Sequence, residues 1–443
     1  MPASGAIAIR MQLRYYHCRR AIGASSYGTR LVTTSRIHAL SEAASAFVWT
    51  WLPGEIRPVP AGRLHGGTES RHDFGYLPDY LDRPNAIALG PDLPLAPGMR
   101  ALPGLGLTGT LRDALPGAWG RRVTRTLQLG RRGAEVEADT IGGIGYGLLA
   151  GTDGVGALSY EASATSFEAR PIAPVELDVL AEAVERVELG QPLPPELAGP
   201  LIHAVAVGGA RPKALVEVNG RRCIAWFASV RDRGDMLRAE FMALQLARQC
   251  RIDVPHAELR QIGNRQVLLI KRFDRGNGEA ARRGVISGRT LTGLNHQVPS
   301  VGWRDLADAL PRLVTAHDRA DAGRELFRRM TFGILIGHAD DWPRGQSFLW
   351  DGSNAELAPA AFSGLPLRLH HETSSGRARR NSIPQGRIAQ AGEAATMFGL
   401  DREAALSIIK QVRDGIAEHD PAAMFEPDTF SASADVRIGS AAV

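Results

Sequence analysis

Apolar residues at helical spacing predict several amphipathic helices along the 443-residue chain. In the segment ELDVLAEAVERV, Leu177, Leu180, Ala181 and Val184 recur every three or four residues, so they lie on one face of a helix. The second part of the chain is therefore expected to be mostly helical. The same spacing predicts helices in AEFMALQLARQC with Ala243, Leu246, Ala247 and Cys250, in ELFRRMTFGILIG, and in DREAALSIIKQVRDGIAEH with Ala405, Ile408, Ile409, Val412 and Ile416.

Runs rich in β-branched and aromatic residues predict strands between these helices. The segment AFVWTWLPG, from residue 46, predicts a strand and a turn, and the Pro- and Gly-rich sequence up to about residue 118 predicts short β elements with loops. Asn219 and Gly220 separate two β-rich runs, and because both residues tolerate positive φ they predict a tight hairpin. With the next helix and the strand QVLLIKRF, the order is strand, strand, helix, strand, which is typical of the small lobe of a protein kinase.

The composition is that of a folded globular protein, with 44% apolar and 22% charged residues. No apolar run approaches the roughly eighteen residues that a membrane span requires, so we expect a cytoplasmic protein without membrane contact. The net charge of +5 resides in the first 50 residues, which hold six arginines and one glutamate, and it does not by itself indicate direct nucleic-acid binding. Residues 1–45 are Arg- and Ser-rich like a transit peptide, and a disordered extension or a start codon set too early is the alternative that we favour.

Two familiar classes of site are not supported by the sequence. Cys18, Cys223 and Cys250 are widely spaced and form no CxxC motif, so they predict plain thiols rather than a disulfide framework or a zinc site. The segment GLGLTG, residues 104–109, fits the pattern GxGxxG, but prolines surround it where a dinucleotide fingerprint needs a strand and a helix. We predict a loop there.

Two adjacent aspartates, Asp340 and Asp341, follow an apolar run in GILIGHADDWPRGQSFLWDG, where burial of charge is costly unless the charge is used. With GGARPKALVEV, RIDVPHAELRQIGNRQVLLIKRFDR and LAPAAF, this segment resembles the HipA family, the serine/threonine kinases of bacterial toxin–antitoxin pairs. VWTWLPGEIRPVPAGRL and LRDALPGAWGRRV resemble its N-terminal subdomain. The resemblance covers residues 46 to 425, and the order of several motifs is more specific than any one of them.

The resemblance implies an α+β fold, two-lobed and protein-kinase-like, with a β-rich N-terminal subdomain. In the family, the activity is phosphorylation of serine or threonine on a protein substrate, notably an aminoacyl-tRNA synthetase, with ATP and Mg²⁺ as cofactors. The family's protein partner is a helix-turn-helix antitoxin. The implied division is an extension (1–45), the N-terminal subdomain (46–170), a small lobe with phosphate loop and hinge (171–275), a helical large lobe with the catalytic loop (276–430) and a tail (431–443).

The resemblance assigns one catalytic position and six cofactor-binding positions. The catalytic aspartate orients the hydroxyl nucleophile in phosphoryl transfer. The loop GGARPK would cover the phosphates, although a simple β-turn is an alternative, and KRFD would line the ribose side, although it is equally an ordinary solvated strand end. Trp119 resembles a packing residue of the core or of a subdomain interface. The assigned residues are Asp340 for catalysis and Gly208, Gly209, Lys213, Lys271, Phe273 and Asp274 for the cofactor.

Several positions depart from the family pattern. The lysine that holds the α- and β-phosphates is replaced by Trp226, so its partner in the following helix, Glu240, has no obvious ion pair and is at least as readily an exposed helix acid. The two magnesium ligands are replaced by Gly345 and Phe362, and neither offers a side-chain oxygen. Ala206 stands at the regulatory serine, so autophosphorylation there is impossible.

Two hypotheses about function remain open. The first is a serine/threonine kinase of the toxin–antitoxin type, weakly active or inactive, that uses Asp340 and a metal site rebuilt from Asp341, Asp351 and Glu356. The second is a pseudokinase that serves as a binding or regulatory module for a helix-turn-helix antitoxin-like partner. The missing groups each contribute several kcal/mol to a transition state, so we expect activity to be lower by orders of magnitude.

Overall fold

The computed structural model describes most of the chain from residue 43 to residue 418. Nearly all of the predicted extension lies outside the described residues, as do Cys18, Asp340, Asp341 and Phe362. The described residues are 43–66, 71–103, 106–107, 109–129, 141–169, 176–232, 234–276, 281–294, 301–336, 345–361, 392 and 394–418.

An antiparallel five-stranded sheet forms the N-terminal part of the structure, in the order β4-β3-β2-β1-β5. The predicted strand in AFVWTWLPG is confirmed as β1. Its inward side chains, among them Val48, pack with Leu64 and Phe74 into one apolar core. The strands are β1 (Ser45–Thr50), β2 (Val59–Gly66), β3 (His72–Tyr76), β4 (Arg100–Ala101) and β5 (Leu158–Glu161).

Helices lie between β3 and β5, where we predicted only short β elements and loops up to residue 118. That prediction was incomplete because one-turn helices are too short to show an apolar repeat, and tertiary contacts hold them. The carboxylate of Asp92, for example, accepts hydrogen bonds from the backbone N–H and the hydroxyl of Thr110 in α2, at 3.2 and 2.5 Å. The helices are α1 (Pro78–Leu81), α2 (Gly109–Asp113), α3 (Ala118–Leu129) and α4 (Gly143–Leu149).

A second antiparallel sheet, which we call the central sheet, has the order β6-β7-β9-β8. The predicted hairpin is confirmed, since Asn219 and Gly220 join β6 to β7 with φ of 52° and 71°. Strand β8 was not predicted, because its sequence AELRQI carries few apolar residues. It pairs with β9 across the turn that joins them. The strands are β6 (Lys213–Val218), β7 (Arg221–Phe227), β8 (Ala257–Ile262) and β9 (Arg265–Lys271).

The two faces of the central sheet bury different side chains, as the two-residue period of a strand requires. Ala225 and Leu269 face α5 (Leu177–Glu188) and α6 (Pro195–Val205). Trp226 and its strand neighbours on the opposite face join the core of the second half of the chain. Helix α7 (Met236–Gln249) belongs to that second core, and its predicted stripe, Ala243, Leu246 and Ala247 with Cys250 at its end, is confirmed as buried.

The second half of the chain is mainly helical, as predicted, with an additional three-stranded sheet. Its strands β10 (Gly284–Ser287), β11 (Ser347–Trp350) and β12 (Ala355–Leu357) pair in that order. No helix within the described residues is long and apolar enough to cross a membrane. The helices are α8 (Gly288–Thr292), α9 (Trp303–Leu313), α10 (Arg319–Leu335), a 3-10 helix (Ala395–Phe398) and α11 (Arg402–Ala417), and they confirm both predicted C-terminal helices.

Four charged residues, Asp153, Arg272, Asp274 and Arg275, form what we call the buried ion cluster. The carboxylate of Asp274 accepts from Arg272 and Arg275, both at 2.8 Å, and from the backbone N–H of Gly156 at 2.7 Å. Arg275 also donates to Asp153 at 2.8 Å. Burial disfavours the charge of Asp274, but the two guanidinium groups outweigh it and lower the pKa of Asp274 below its ordinary value. The cluster therefore joins the loop before β5 to the segment that follows β9.

We expect Asp274→Asn to lower the free energy of unfolding by about 3–5 kcal/mol at neutral pH, because it leaves two buried guanidinium groups facing one carboxylate. The folded-state pKa of Asp274 is depressed, so its stabilisation is present above the unfolded pKa of about 3.9 and is lost as the pH falls further. Urea unfolding of variant and wild type at several pH values measures this difference.

The matched control is Asp321→Asn, which removes an exposed pair with Arg324. Exposed pairs contribute little, so we expect a change of less than about 1 kcal/mol. Equal losses in the two variants would contradict a special role for the buried ion cluster.

Candidate nucleotide site

The glycine loop, residues 206–212, joins α6 to β6 and lies against the segment that begins α3. Gly209 has a φ of 86°, a conformation that favours glycine. The backbone N–H of Gly117 donates to the carbonyl of Val207 at 3.2 Å, and that of Trp119 donates to the carbonyl of Gly209 at 3.1 Å. A Cβ on Gly117 would lie 2.4 Å from the Gly209 carbonyl oxygen, so this close approach requires glycine. The glycine loop is thus fixed by backbone hydrogen bonds from Gly117 and Trp119, in the N-terminal part of the chain.

Lys213 is the first residue of β6, and its side chain is buried with 7% exposure. Its ammonium lies 4.1 Å from the centroid of the Trp226 ring, in the geometry of a cation–π contact. A Cβ on Gly209 would lie 2.8 Å from the same nitrogen, which places the ammonium beside the glycine loop. Trp119 donates its indole N–H to the carbonyl of Lys213 at 2.8 Å, and this buried contact confirms its predicted packing role.

Burial lowers the pKa of the Lys213 ammonium to about 8, and the positive charge of Arg211 acts in the same direction. Glu240 acts in the opposite direction, because its carboxylate favours the charged ammonium. Glu240 lies on α7 with 4% exposure. The alternative of an exposed helix acid was therefore wrong, because the stripe that buries α7 against the central sheet includes this position.

The hinge positions differ in their surroundings. Lys271 ends β9 with an exposed side chain, and Phe273 is half-buried. Asp274 is buried, and its carboxylate already accepts hydrogen bonds from Arg272, Arg275 and Gly156. A role of Lys271, Phe273 and Asp274 in nucleotide binding stays a prediction.

Arg329 on α10 donates hydrogen bonds to the residue before β11 and to the residue after β12. It is almost fully buried and donates to the side chain of Gln346 and to the carbonyl of Ala358, both at 2.9 Å, and to Glu325 at 2.8 Å. Gln346 directly follows Gly345, whose backbone is exposed. Sequence reasoning missed Arg329, although an arginine three residues after the buried Leu326 stands on an apolar helical stripe and could have indicated a buried contact.

Of the three acids that could have rebuilt a metal site, Asp351 and Glu356 have other contacts, and Asp341 lies outside the described residues. Asp351 accepts from the backbone N–H of Ser353 and Asn354, at 2.8 and 2.7 Å, within the β11–β12 turn. Glu356 pairs with Arg283. Among the described residues, no cluster of three or more His, Cys, Asp or Glu side chains could hold a metal ion. Among the described residues, the glycine loop thus has a buried cation beside it, and Gly345 offers no side-chain oxygen.

Comparison with known proteins finds similarity for the part of the chain that contains the glycine loop. Residues 205–419 match the HipA-like C-terminal domain. These residues form a HipA-like C-terminal domain. Its structure resembles that of HipA from the Shewanella oneidensis MR-1 toxin–antitoxin system, determined with HipB and operator DNA, with a TM-score of 0.58 and 18% identity, over 87% of this chain and 94% of that chain. The predicted α+β, kinase-like fold with two lobes is thereby confirmed.

A second solved structure, the Helicobacter pylori proinflammatory kinase CtkA, gives a TM-score of 0.29 and 15% identity over 35% of this chain and 54% of that chain. No curated protein sequence matches the chain significantly. The HipA-like C-terminal domain contains the glycine loop, Lys213, Trp226, the hinge and Gly345. Trp226 and Gly345, the predicted departures from the family pattern, both lie within this domain.

We expect the unfolding free energy of wild type to rise relative to that of Lys213→Met as the pH rises from about 8 to about 10.4. The folded-state pKa of Lys213 is depressed to about 8, so in this interval the unfolded chain binds more protons and higher pH favours the folded state. Urea unfolding at a series of pH values measures the difference. Lys410→Met on α11, at an exposed position, is the control, and parallel profiles for both variants would contradict a buried ammonium at Lys213.

Proposed function

We propose that this HipA-like chain is a serine/threonine protein kinase of the toxin–antitoxin type that retains a phosphate-binding loop and transfers phosphate weakly or not at all. The observation that carries the proposal is the contrast within one domain. Gly208, Gly209 and a buried lysine, Lys213, form a loop with a cation beside it, whereas Gly345 offers no side-chain oxygen for a metal. Nucleotide binding and phosphate transfer are therefore separable in this protein.

Each retained residue has a definable part in the proposed chemistry. The backbone at Gly208 and Gly209 can approach phosphate oxygens closely because no Cβ intervenes, and the ammonium of Lys213 supplies positive charge. Asp340 would accept a hydrogen bond from the hydroxyl of a serine or threonine and orient it for attack. A protein substrate follows from this role, and by family analogy it is an aminoacyl-tRNA synthetase. No step is assigned to magnesium, since the described residues do not fit it.

The second candidate function is a pseudokinase that binds a helix-turn-helix antitoxin-like partner. What supports it is that the similarity spans 94% of a HipA chain whose structure contains HipB and operator DNA, and that the N-terminal sheet of this chain is fully formed. A protein that keeps the folded body but lacks metal ligands retains surfaces for a partner without needing catalysis.

Calorimetric titration with a non-hydrolysable ATP analogue tests the first proposal. We expect binding that is similar with Mg²⁺ and with a chelator, because the phosphates meet the glycine loop and Lys213 rather than a protein-bound metal. We also expect transfer of labelled phosphate to protein serine or threonine to be lower by orders of magnitude than in an intact kinase. Binding that tightens more than about tenfold with Mg²⁺, together with rapid transfer, would contradict the assignment of a damaged metal site.

Restoring the missing groups is the complementary experiment. We expect the triple change Trp226→Lys, Gly345→Asn and Phe362→Asp to raise phosphate transfer by about 100-fold or more, since each restored group stabilises charge in the transition state. The matched control adds Asp340→Asn to the triple variant and is expected to remain inactive. If the triple variant gains nothing, the alignment of these loops with the family is wrong.

A further inference from the structure

A cavity of about 890 Å³ lies between the N-terminal sheet and the three-stranded sheet. Trp51, directly after β1, and Leu158 of β5 line it on one side. Val285 of β10 and Leu349 of β11 line it on the other. Among the described residues, no part of the glycine loop and no position assigned to the cofactor lines this cavity. Its volume is that of a small-molecule site, and it is separate from the candidate nucleotide site.

The floor of the cavity is one face of the β10–β11 pair. Val285 and Leu349 are Cα partners there, so their side chains share a face. Their neighbours Ile286 and Phe348 point to the opposite face and belong to the core of the second half of the chain. Leu349 is buried with 4% exposure, but it belongs to none of the apolar cores among the described residues. An apolar surface is therefore available to a ligand in the cavity.

Arg282 brings a positive charge to the wall of this cavity. Its guanidinium carbon lies 3.5 Å from the centroid of the Trp51 ring, in the geometry of a cation–π contact. A guanidinium carries five N–H donors, and among the described residues one of them has an acceptor, the carbonyl of Thr152. The carboxylate of Asp153 is 3.9 Å away, beyond hydrogen-bond distance, and no other carboxylate of a described residue pairs with Arg282.

The positive charge of Arg282 is not balanced by the buried ion cluster. Asp153 pairs with Arg275 at 2.8 Å and with Arg272 at 3.4 Å, and Asp274 is engaged by the same two arginines. Three guanidinium groups, at most 12% exposed, therefore face two carboxylates. Burial and the positive charges of Arg275 and Arg272 lower the pKa of Arg282 to about 9, although Asp153 acts in the opposite direction. An anion beside Arg282 would relieve this imbalance.

The other arginines that line the cavity are either exposed or paired. Arg251 is exposed. Arg283, the neighbour of Arg282 in sequence, forms an exposed pair with Glu356. Arg282 is thus the arginine of this cavity that combines burial with the lack of a close carboxylate among the described residues. The remaining pairs are Arg324 with Asp321 at 2.9 Å, Arg328 with Glu325 at 2.9 Å and Arg329 with Glu325 at 2.8 Å.

We propose that this cavity binds a small organic acid, whose carboxylate pairs with Arg282 and whose apolar body lies against Val285 and Leu349. A carboxylate matches the planar fork of a guanidinium and accepts from two of its N–H groups at once. The Trp51 ring restrains the guanidinium, so less side-chain freedom is lost on binding. Position 285 is three residues from position 282, at most about 10 Å in an extended chain, a distance that a fused two-ring acid spans.

Calorimetry with 2-naphthoate and with the neutral 2-naphthamide tests the proposal on the full-length chain. We expect the acid to bind at least about tenfold more tightly than the amide, because only the acid offers a charged partner to Arg282. We expect Arg282→Gln to weaken the acid alone and to bring the two affinities within about threefold of each other. Arg283→Gln, which removes the neighbouring exposed pair, is the matched control and should keep the preference for the acid.

A second measurement locates the ligand without any substitution. In the wild type, 2-naphthoate should slow backbone hydrogen exchange in β10 and β11, and ADP should not displace it. Equal binding of acid and amide, or no binding of the acid at millimolar concentration, would overturn the proposal. So would an unchanged preference in Arg282→Gln, protection confined to the central sheet, or displacement by ADP. If Arg282→Gln does not fold, the hydrogen exchange and the acid-to-amide ratio of the wild type decide.

Discussion

The buried ion cluster is the constraint on which the relative placement of the N-terminal region and the central sheet depends. Two carboxylates and two guanidinium groups are withdrawn from water, and removing any one would leave the others as uncompensated buried charges. Asp153 lies before β5, whereas Arg272, Asp274 and Arg275 follow β9. Arg272 and Arg275 also donate to the carbonyls of Gly154 and Gly156. Because Arg-to-carboxylate geometry is directional, the cluster fixes the exit of β9 against the loop before β5.

A second connection acts at the glycine loop and supports the same region of the fold. Backbone N–H groups of Gly117 and Trp119 hold two loop carbonyls, and the Trp119 indole holds the carbonyl of Lys213. The loop's shape is thus set by residues about 90 positions earlier in the chain. The ion cluster orients one end of the candidate nucleotide site and the α3 segment orients the other. The N-terminal subdomain therefore fixes the positions of the glycine loop and of the segment after β9.

The elements that could be predicted from the sequence are those set by interactions between residues close together in the chain. The Asn219-Gly220 hairpin and the α5, α7, α10 and α11 helices were predicted because turn chemistry and apolar spacing are local. Strand β8 and the β10–β12 sheet were not, since their pairing joins segments far apart in sequence or low in apolar residues. For the candidate site, the motif positions were predicted, but the burial of Glu240 and the bracing by Arg329 depend on contacts between separate elements.

The two halves of the candidate site depart from the family pattern in physically different ways. Replacing a lysine with tryptophan at position 226 would remove the charge that faces the buried carboxylate of Glu240, a costly change for a desolvated acid. Lys213 on the adjacent strand has its ammonium 4.1 Å from the centroid of the Trp226 ring, and Glu240 favours the charged form of that ammonium. The change at Gly345 has no comparable counterpart among the described residues, because Asp351 and Glu356 are engaged in a turn and an ion pair. A buried ammonium beside a glycine loop can attract an anion, whereas a glycine supplies no side-chain oxygen for a hard cation. Anion binding and metal binding therefore depend on different residues of this domain.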